Sequence, residues 1–155
     1  MRFLASAAAW PEAQRPDVIE THMSWVFLGE DTVLKLKKPV RTGFLDFSTL
    51  AAREFNCREE VRLNLRLAPG VYLGVLPLLQ RPDGTLAVGS GATMSATVVD
   101  WLVRMRRIPR ERMLDVAVPA GSVRIDDIDR LGVRLAKFFR SAERVPIDGH
   151  AYVGR

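Results

Sequence analysis

Hydrophobic and polar positions alternate most clearly along Thr32-Val33-Leu34-Lys35-Leu36-Lys37-Lys38-Pro39. As a strand of period two, this stretch puts Leu34 and Leu36 on one face and Val33, Lys35 and Lys37 on the other. Two ammonium groups then point the same way from an otherwise apolar ribbon. Burying a lysine is costly unless it is paired, so either both heads reach solvent or at least one meets a carboxylate or a phosphate. The plain alternative is an edge strand that carries lysines for solubility.

Upstream, residues 17–28 read as strand, with Val18-Ile19 and Trp25-Val26-Phe27-Leu28 separated by the polar run Thr21-His22-Met23-Ser24. Gly29-Glu30-Asp31 turns the chain into the lysine strand and closes a hairpin. Downstream, Pro39 ends that strand and residues 40–47 form a loop. Ser48 stands at the expected N-cap of a helix that runs to about Leu67 and stops at Pro69-Gly70. At about 100 degrees per residue, Leu50, Cys57, Val61 and Ala68 share a stripe of this helix, with Arg53, Glu60 and Asn64 along one edge. Glu59 falls nearly opposite, so Glu60 is the glutamate carried toward the sheet and its lysines.

Residues 71–79 read as a further strand, and the glycine-rich residues 84–92 as a hairpin connection. That connection lacks the Gly-Lys-Ser/Thr continuation of a P-loop. Residues 97–105 alternate, with Val99, Trp101, Val103 and Met105 on one face and Asp100 and Arg104 on the other. Pro109 suits the first turn of a short helix through Val116. A last helix is expected where Ile128, Leu131, Leu135, Phe138 and Phe139 recur at helical spacing, and residues 145–155 show no pattern.

Composition narrows the classes. The 155 residues are 48% hydrophobic and 26% charged, enough apolar material for a core. The apolar run that opens the chain is short and gives way to Pro11 and Glu12, so it reads as mature protein, and no run is long enough to span a bilayer. One cysteine, Cys57, excludes an internal disulfide, and two separated histidines offer no zinc cluster. Cys57 reads as a small buried hydrophobe, His22 as a structural or surface residue, and the compartment as cytoplasm. A formal charge of +5 permits attraction to phosphate-bearing ligands without requiring nucleic acid. The cluster Arg104, Arg106, Arg107, Arg110, Arg112 lacks the interleaved aromatics that stack exposed bases, which argues against a nucleic-acid partner.

A lysine on the third strand, a glutamate in the following helix and a strand leading into an extended linker resemble the small lobe of a protein-kinase-like fold. The wording sharpens this. Glu20-Thr21-His22-Met23-Ser24-Trp25-Val26-Phe27-Leu28, Lys35-Leu36-Lys37-Lys38-Pro39-Val40, Gly43-Phe44-Leu45-Asp46-Phe47-Ser48-Thr49-Leu50 and Asn64-Leu65-Arg66-Leu67-Ala68-Pro69 with Tyr72-Leu73-Gly74-Val75 occur in order. They resemble the N-terminal part of aminoglycoside-phosphotransferase-like proteins, in the bacterial branch often fused to a C-terminal P-loop ATPase or kinase domain.

The resemblance implies an α+β fold, with a protein-kinase-like small lobe of about five antiparallel strands and one long helix over residues 1–108. The hinge exit and first helices of an incomplete large lobe would follow over residues 109–155, in one compact unit. It implies ATP and Mg2+ as cofactors, with Lys35 as the phosphate-contacting lysine, Lys37 as the alternative and Glu60 as the partner glutamate. Met105, Arg106, Arg107 and Ile108 would be the hinge whose backbone contacts adenine. The family's His-Gly-Asp catalytic loop and metal-binding Asp are not found, since Asp148-Gly149-His150-Ala151 is not that motif. The chain alone is therefore expected not to be a competent phosphotransferase. The partners implied are a missing large lobe or a C-terminal P-loop domain. The contrasting expectation is a catalytically inactive module that docks another protein or a second copy of itself through a surface that includes the Phe138 and Phe139 face and the Arg104, Arg106, Arg107, Arg110, Arg112 cluster.

Overall fold

The alternating stretch around Lys35 forms a strand that lies inside a larger antiparallel sheet. The computed structural model describes residues 1–10, 12, 14–89 and 95–143. The chain divides into two units, Met1–Met113 and Leu114–Arg155, rather than the one compact unit expected. The first unit contains β1 (Asp17–Glu20), β2 (Ser24–Leu28), β3 (Thr32–Lys37), the helix α1 (Leu50–Leu65), β4 (Tyr72–Gln80), β5 (Leu86–Val88) and β6 (Thr97–Arg106). The strands are ordered β1-β2-β3-β6-β4-β5, and every neighbouring pair is antiparallel.

The sheet has six strands where about five are expected. The additional one is β5, three residues in the glycine-rich connection, too short to show a period. It is set against β4 by a turn in which Asp83 accepts from both the amide and the hydroxyl of Thr85. Residues 90–94 of that connection, and residues 144–155 with the Asp148-Gly149-His150-Ala151 stretch, lie outside the described residues.

The sheet is covered on both faces. Leu34 and Leu36 join Phe27, Leu78 and Leu102 in a core closed by Leu4 and Trp10 from the start of the chain. Trp10 keeps its indole N–H satisfied by donating to the Leu4 carbonyl at 2.8 Å, as a buried donor must. The opposite face carries α1, which packs on β6 and β4, with Cys57 and Val103 fully buried.

Three local details depart from the sequence reading. The N-cap of α1 is Thr49, whose hydroxyl accepts from the Ala52 amide at 3.1 Å. Ser48 is instead drawn back by Asp46, which takes both its amide and its hydroxyl. Next, β6 bulges where Leu78 pairs with Asp100 but Leu79 pairs with Val98. The extra residue shifts the alternation, so Val99 packs with the Leu4 and Trp10 core while Asp100 turns to α1, where Arg53 meets it. Lastly, the helix expected from Pro109 is a 3-10 turn, Arg110–Arg112, followed by a separate short helix α2 (Leu114–Ala117). Met113 is extended between them and ends the first run.

The second unit holds α2 and α3 (Ile125–Ser141). At the start of α3, Asp127 accepts from the Arg124 amide at 3.1 Å, which satisfies one of the free amides of the first turn. Among the described residues, no helix is long and apolar enough to cross a membrane.

Candidate functional site

The two lysines of β3 sit two residues apart on the face that meets α1, so both point at the same helix. Thr49 caps α1 and Arg53 anchors its first turns: the buried guanidinium donates to Asp100 at 2.8 Å and to the carbonyls of Phe47 and Ser48. With that end held, the helix brings Glu60 over β3. Lys35 Nζ donates to Glu60 Oε1 at 2.8 Å and Lys37 Nζ to Glu60 Oε2 at 2.6 Å. One carboxylate thus divides its two oxygens between two ammonium groups, and the cluster carries a net charge of about +1.

The two lysines differ in what else they meet. The Lys37 side chain is only 6% exposed, and its ammonium lies 4.8 Å from the centroid of the Phe47 ring. Lys35 is 28% exposed and lines a cleft of about 510 Å3 together with Thr21, His22, Met23, Ser24, Val26, Glu60, Tyr72 and Met105. Burial pushes the Glu60 carboxyl upward, but hydrogen bonds from Lys35 and Lys37 and their charges more than offset this. It is held below the ordinary glutamate value and stays ionised. Tyr72 moves the other way: burial, with the nearby Glu60 charge, raises its phenol above the usual range. Cys57 is pushed up to about 11, chiefly by burial, which leaves an unreactive thiol.

Of the residues singled out from sequence, Lys35, Lys37 and Glu60 come together and Met105 borders the same cleft. Arg106, Arg107 and Ile108 do not line it. The Arg106 amide donates to Val71 O and the Arg107 amide to Asp31 O, each at 2.8 Å, so two of the amides expected to contact adenine are already engaged. The Arg107 guanidinium reaches back to the Gly29 carbonyl at 2.6 Å and lines a different hollow of about 320 Å3 with Glu12, Arg15 and Glu30. Ile108 is exposed.

The sequence reading missed the β1–β2 turn as a wall of the cleft. Thr21 staples this turn: its hydroxyl accepts from the Ser24 amide at 3.0 Å and donates to the Ser24 carbonyl at 2.9 Å. In register, Ser24 lies opposite Lys37, so the turn is held beside the lysine end of β3. The available signal was the polar break Thr21-His22-Met23-Ser24 between two apolar runs, which marks a turn one strand away from the lysines.

Lys35 offers a charged donor at the cleft wall, but among the described residues no group of three or more His, Cys, Asp or Glu is placed to hold a metal ion. The chain is similar, at 37% identity over 138 residues, to an uncharacterized protein of Mycobacterium bovis and to uncharacterized proteins of two strains of Mycobacterium tuberculosis. Each match covers 88% of this chain and 25% of the relative, so the chain spans about a quarter of the length of the curated relatives it matches. No family model matches, and no solved structure matches.

Proposed function

We propose that the Met1–Met113 unit is the ATP-binding small lobe of an aminoglycoside-phosphotransferase-like small-molecule kinase. The observation that carries this reading is Lys35, held at 2.8 Å by Glu60 from α1 while its side chain borders an open cleft. In kinase-like enzymes a strand lysine holds the nucleotide phosphates and a helix glutamate orients that lysine. Further support comes from the layout: α1 follows the third strand, β6 lies between β3 and β4, and the β1–β2 turn lines the cleft. Lys35 would contact phosphate, and Met105 would border the nucleotide near the exit of β6. Magnesium bound with ATP would supply charge neutralisation, and among the described residues no group of three or more His, Cys, Asp or Glu is placed to hold it. Phosphoryl transfer would also need a catalytic loop, and the His-Gly-Asp that opens it in the resembled family does not occur in this sequence, so this chain alone is expected to bind without turnover. The far greater length of the relatives is in keeping with a part that works within a larger protein.

Calorimetric titration of Mg-ATP into the 155-residue chain, with Lys35→Ala beside it, tests the reading. Saturable binding that is lost in the variant is expected. No binding to the parent, or equal binding to both, overturns it. A second reading, an interaction or self-association module, is favoured by the exposed Ile125, Ile128, Val133 and Phe139 of α3. It predicts concentration-dependent sedimentation, and a strictly monomeric profile counts against it.

A further inference from the structure

Glu60 has two cationic partners although the orienting role needs only one. The second, Lys37, is the more deeply enclosed and does not border the cleft. Its surroundings are fixed from several sides. The Phe47 ring lies over its ammonium, the Phe47 amide donates to Val40 O at 2.9 Å, and the Phe47 carbonyl accepts from Arg53 at 3.0 Å. Arg53 is tied in turn to Asp100 of β6. The loop between β3 and α1 therefore closes around Lys37, and Lys37 ties the middle of α1 to the sheet through the Glu60 oxygen that Lys35 does not use.

We infer that Lys37 is a positioning residue for the nucleotide site: it holds Glu60 by Oε2, so that Lys35 can turn toward phosphate while α1 and its carboxylate stay in place. The inference rests on the ATP-binding reading above. An ammonium has three donors, and one bond to Oε1 leaves Lys35 two for an anion. If Lys35 alone fixed Glu60, any shift of its ammonium toward phosphate would loosen the carboxylate and with it the helix. With Lys37 in place, α1 is docked before the nucleotide arrives, and a swing of this helix is not available as an on–off switch.

The test compares ATP with adenosine, because a phosphate-specific effect separates positioning from general damage to the fold. In the 155-residue chain, Lys37→Met should weaken ATP about tenfold or more and leave adenosine affinity unchanged. Equal ATP affinity in parent and variant overturns the inference while leaving the ATP reading intact, and a parent that binds no ATP overturns both. If Lys37→Met does not fold, the parent labelled with 15N-lysine answers the same question. On adding ATP the Lys35 ammonium resonance should move and that of Lys37 should stay. A Lys37 shift as large as that of Lys35 would make it a phosphate contact and overturn the inference.

Discussion

Glu60→Gln is the most informative single change, because it removes a charge and keeps the shape. Glu60 is 14% exposed and serves both lysines, so the variant leaves the 6%-exposed Lys37 ammonium with, at best, a neutral amide oxygen. Breaking a buried ion pair by neutralising one partner costs about 3–5 kcal/mol, since the remaining charge is left enclosed and uncompensated. Lys35→Ala is different. That side chain is 28% exposed and its loss leaves Glu60 still paired to Lys37, so a cost of about 1 kcal/mol or less is expected. Urea unfolding followed by tryptophan fluorescence reports the difference, since Trp25 and Trp101 lie in the sheet strands beside the site. With a slope of about 2 kcal/mol per M, Glu60→Gln should lower the midpoint by roughly 2 M and Lys35→Ala by roughly 0.5 M or less. If the two variants lose the same stability, Lys35 is a structural cation and the separation of roles between the lysines fails.

Three further changes probe the frame around the site. Gly29→Ala should destabilise by about 1–3 kcal/mol, because a Cβ there would lie 2.5 Å from the Trp10 ring in a packed layer; an unchanged thermal midpoint would show that Trp10 can give way. Cys57, buried and with its thiol raised to about 11, should resist alkylation at neutral pH in the native chain and react once unfolded; fast native labelling would contradict its burial. The Glu60 carboxyl is depressed on folding, so its stabilisation is present above the ordinary glutamate value of about 4.3 and is lost as pH falls through its lower folded value. The gap in thermal midpoint between parent and Glu60→Gln should therefore be constant around neutrality and close in acid; a gap that widens in acid would reverse the assigned sign.

The lysine strand was legible because period two and a flanking proline are local signals, and they place Leu34 and Leu36 on one face whatever the sheet around them does. The glutamate was legible for a related reason. Helical spacing puts Glu60, and not Glu59, on the edge next to Cys57, and Cys57 is fully buried. Glu59 instead pairs with Arg62 on the outer surface. What resisted reading depended on partners distant in sequence. The bulge at Val99 arises from pairing with β4, and it turns Asp100 to α1, where Arg53 meets it. Ser48 is by type the slightly better cap than Thr49, but Asp46 takes up its amide and hydroxyl and the cap falls to Thr49.

The division of labour between Lys35 and Lys37 was not legible either, since the two are equivalent in a strand pattern. The chain distinguishes them by what covers each: Phe47 and the loop behind it close over Lys37, while the Lys35 side stays open at the cleft. That asymmetry bears on the kind of ligand. Besides the Lys35–Glu60 pair, the cleft is lined by Thr21, Met23, Ser24, Val26, Tyr72 and Met105, none of them an acid, and by His22. Glu60 has spent its single charge on two cations, so the cluster keeps about one positive charge that its own lining does not balance. Partial exposure lets water carry that charge in the free protein, and it also makes Lys35, rather than Lys37, the lysine open to an incoming anion. Under the proposed ATP reading, a phosphate there would gain from a charge-assisted bond to a lysine already ordered by Glu60, with less side-chain freedom left to lose than an unpaired surface lysine would have.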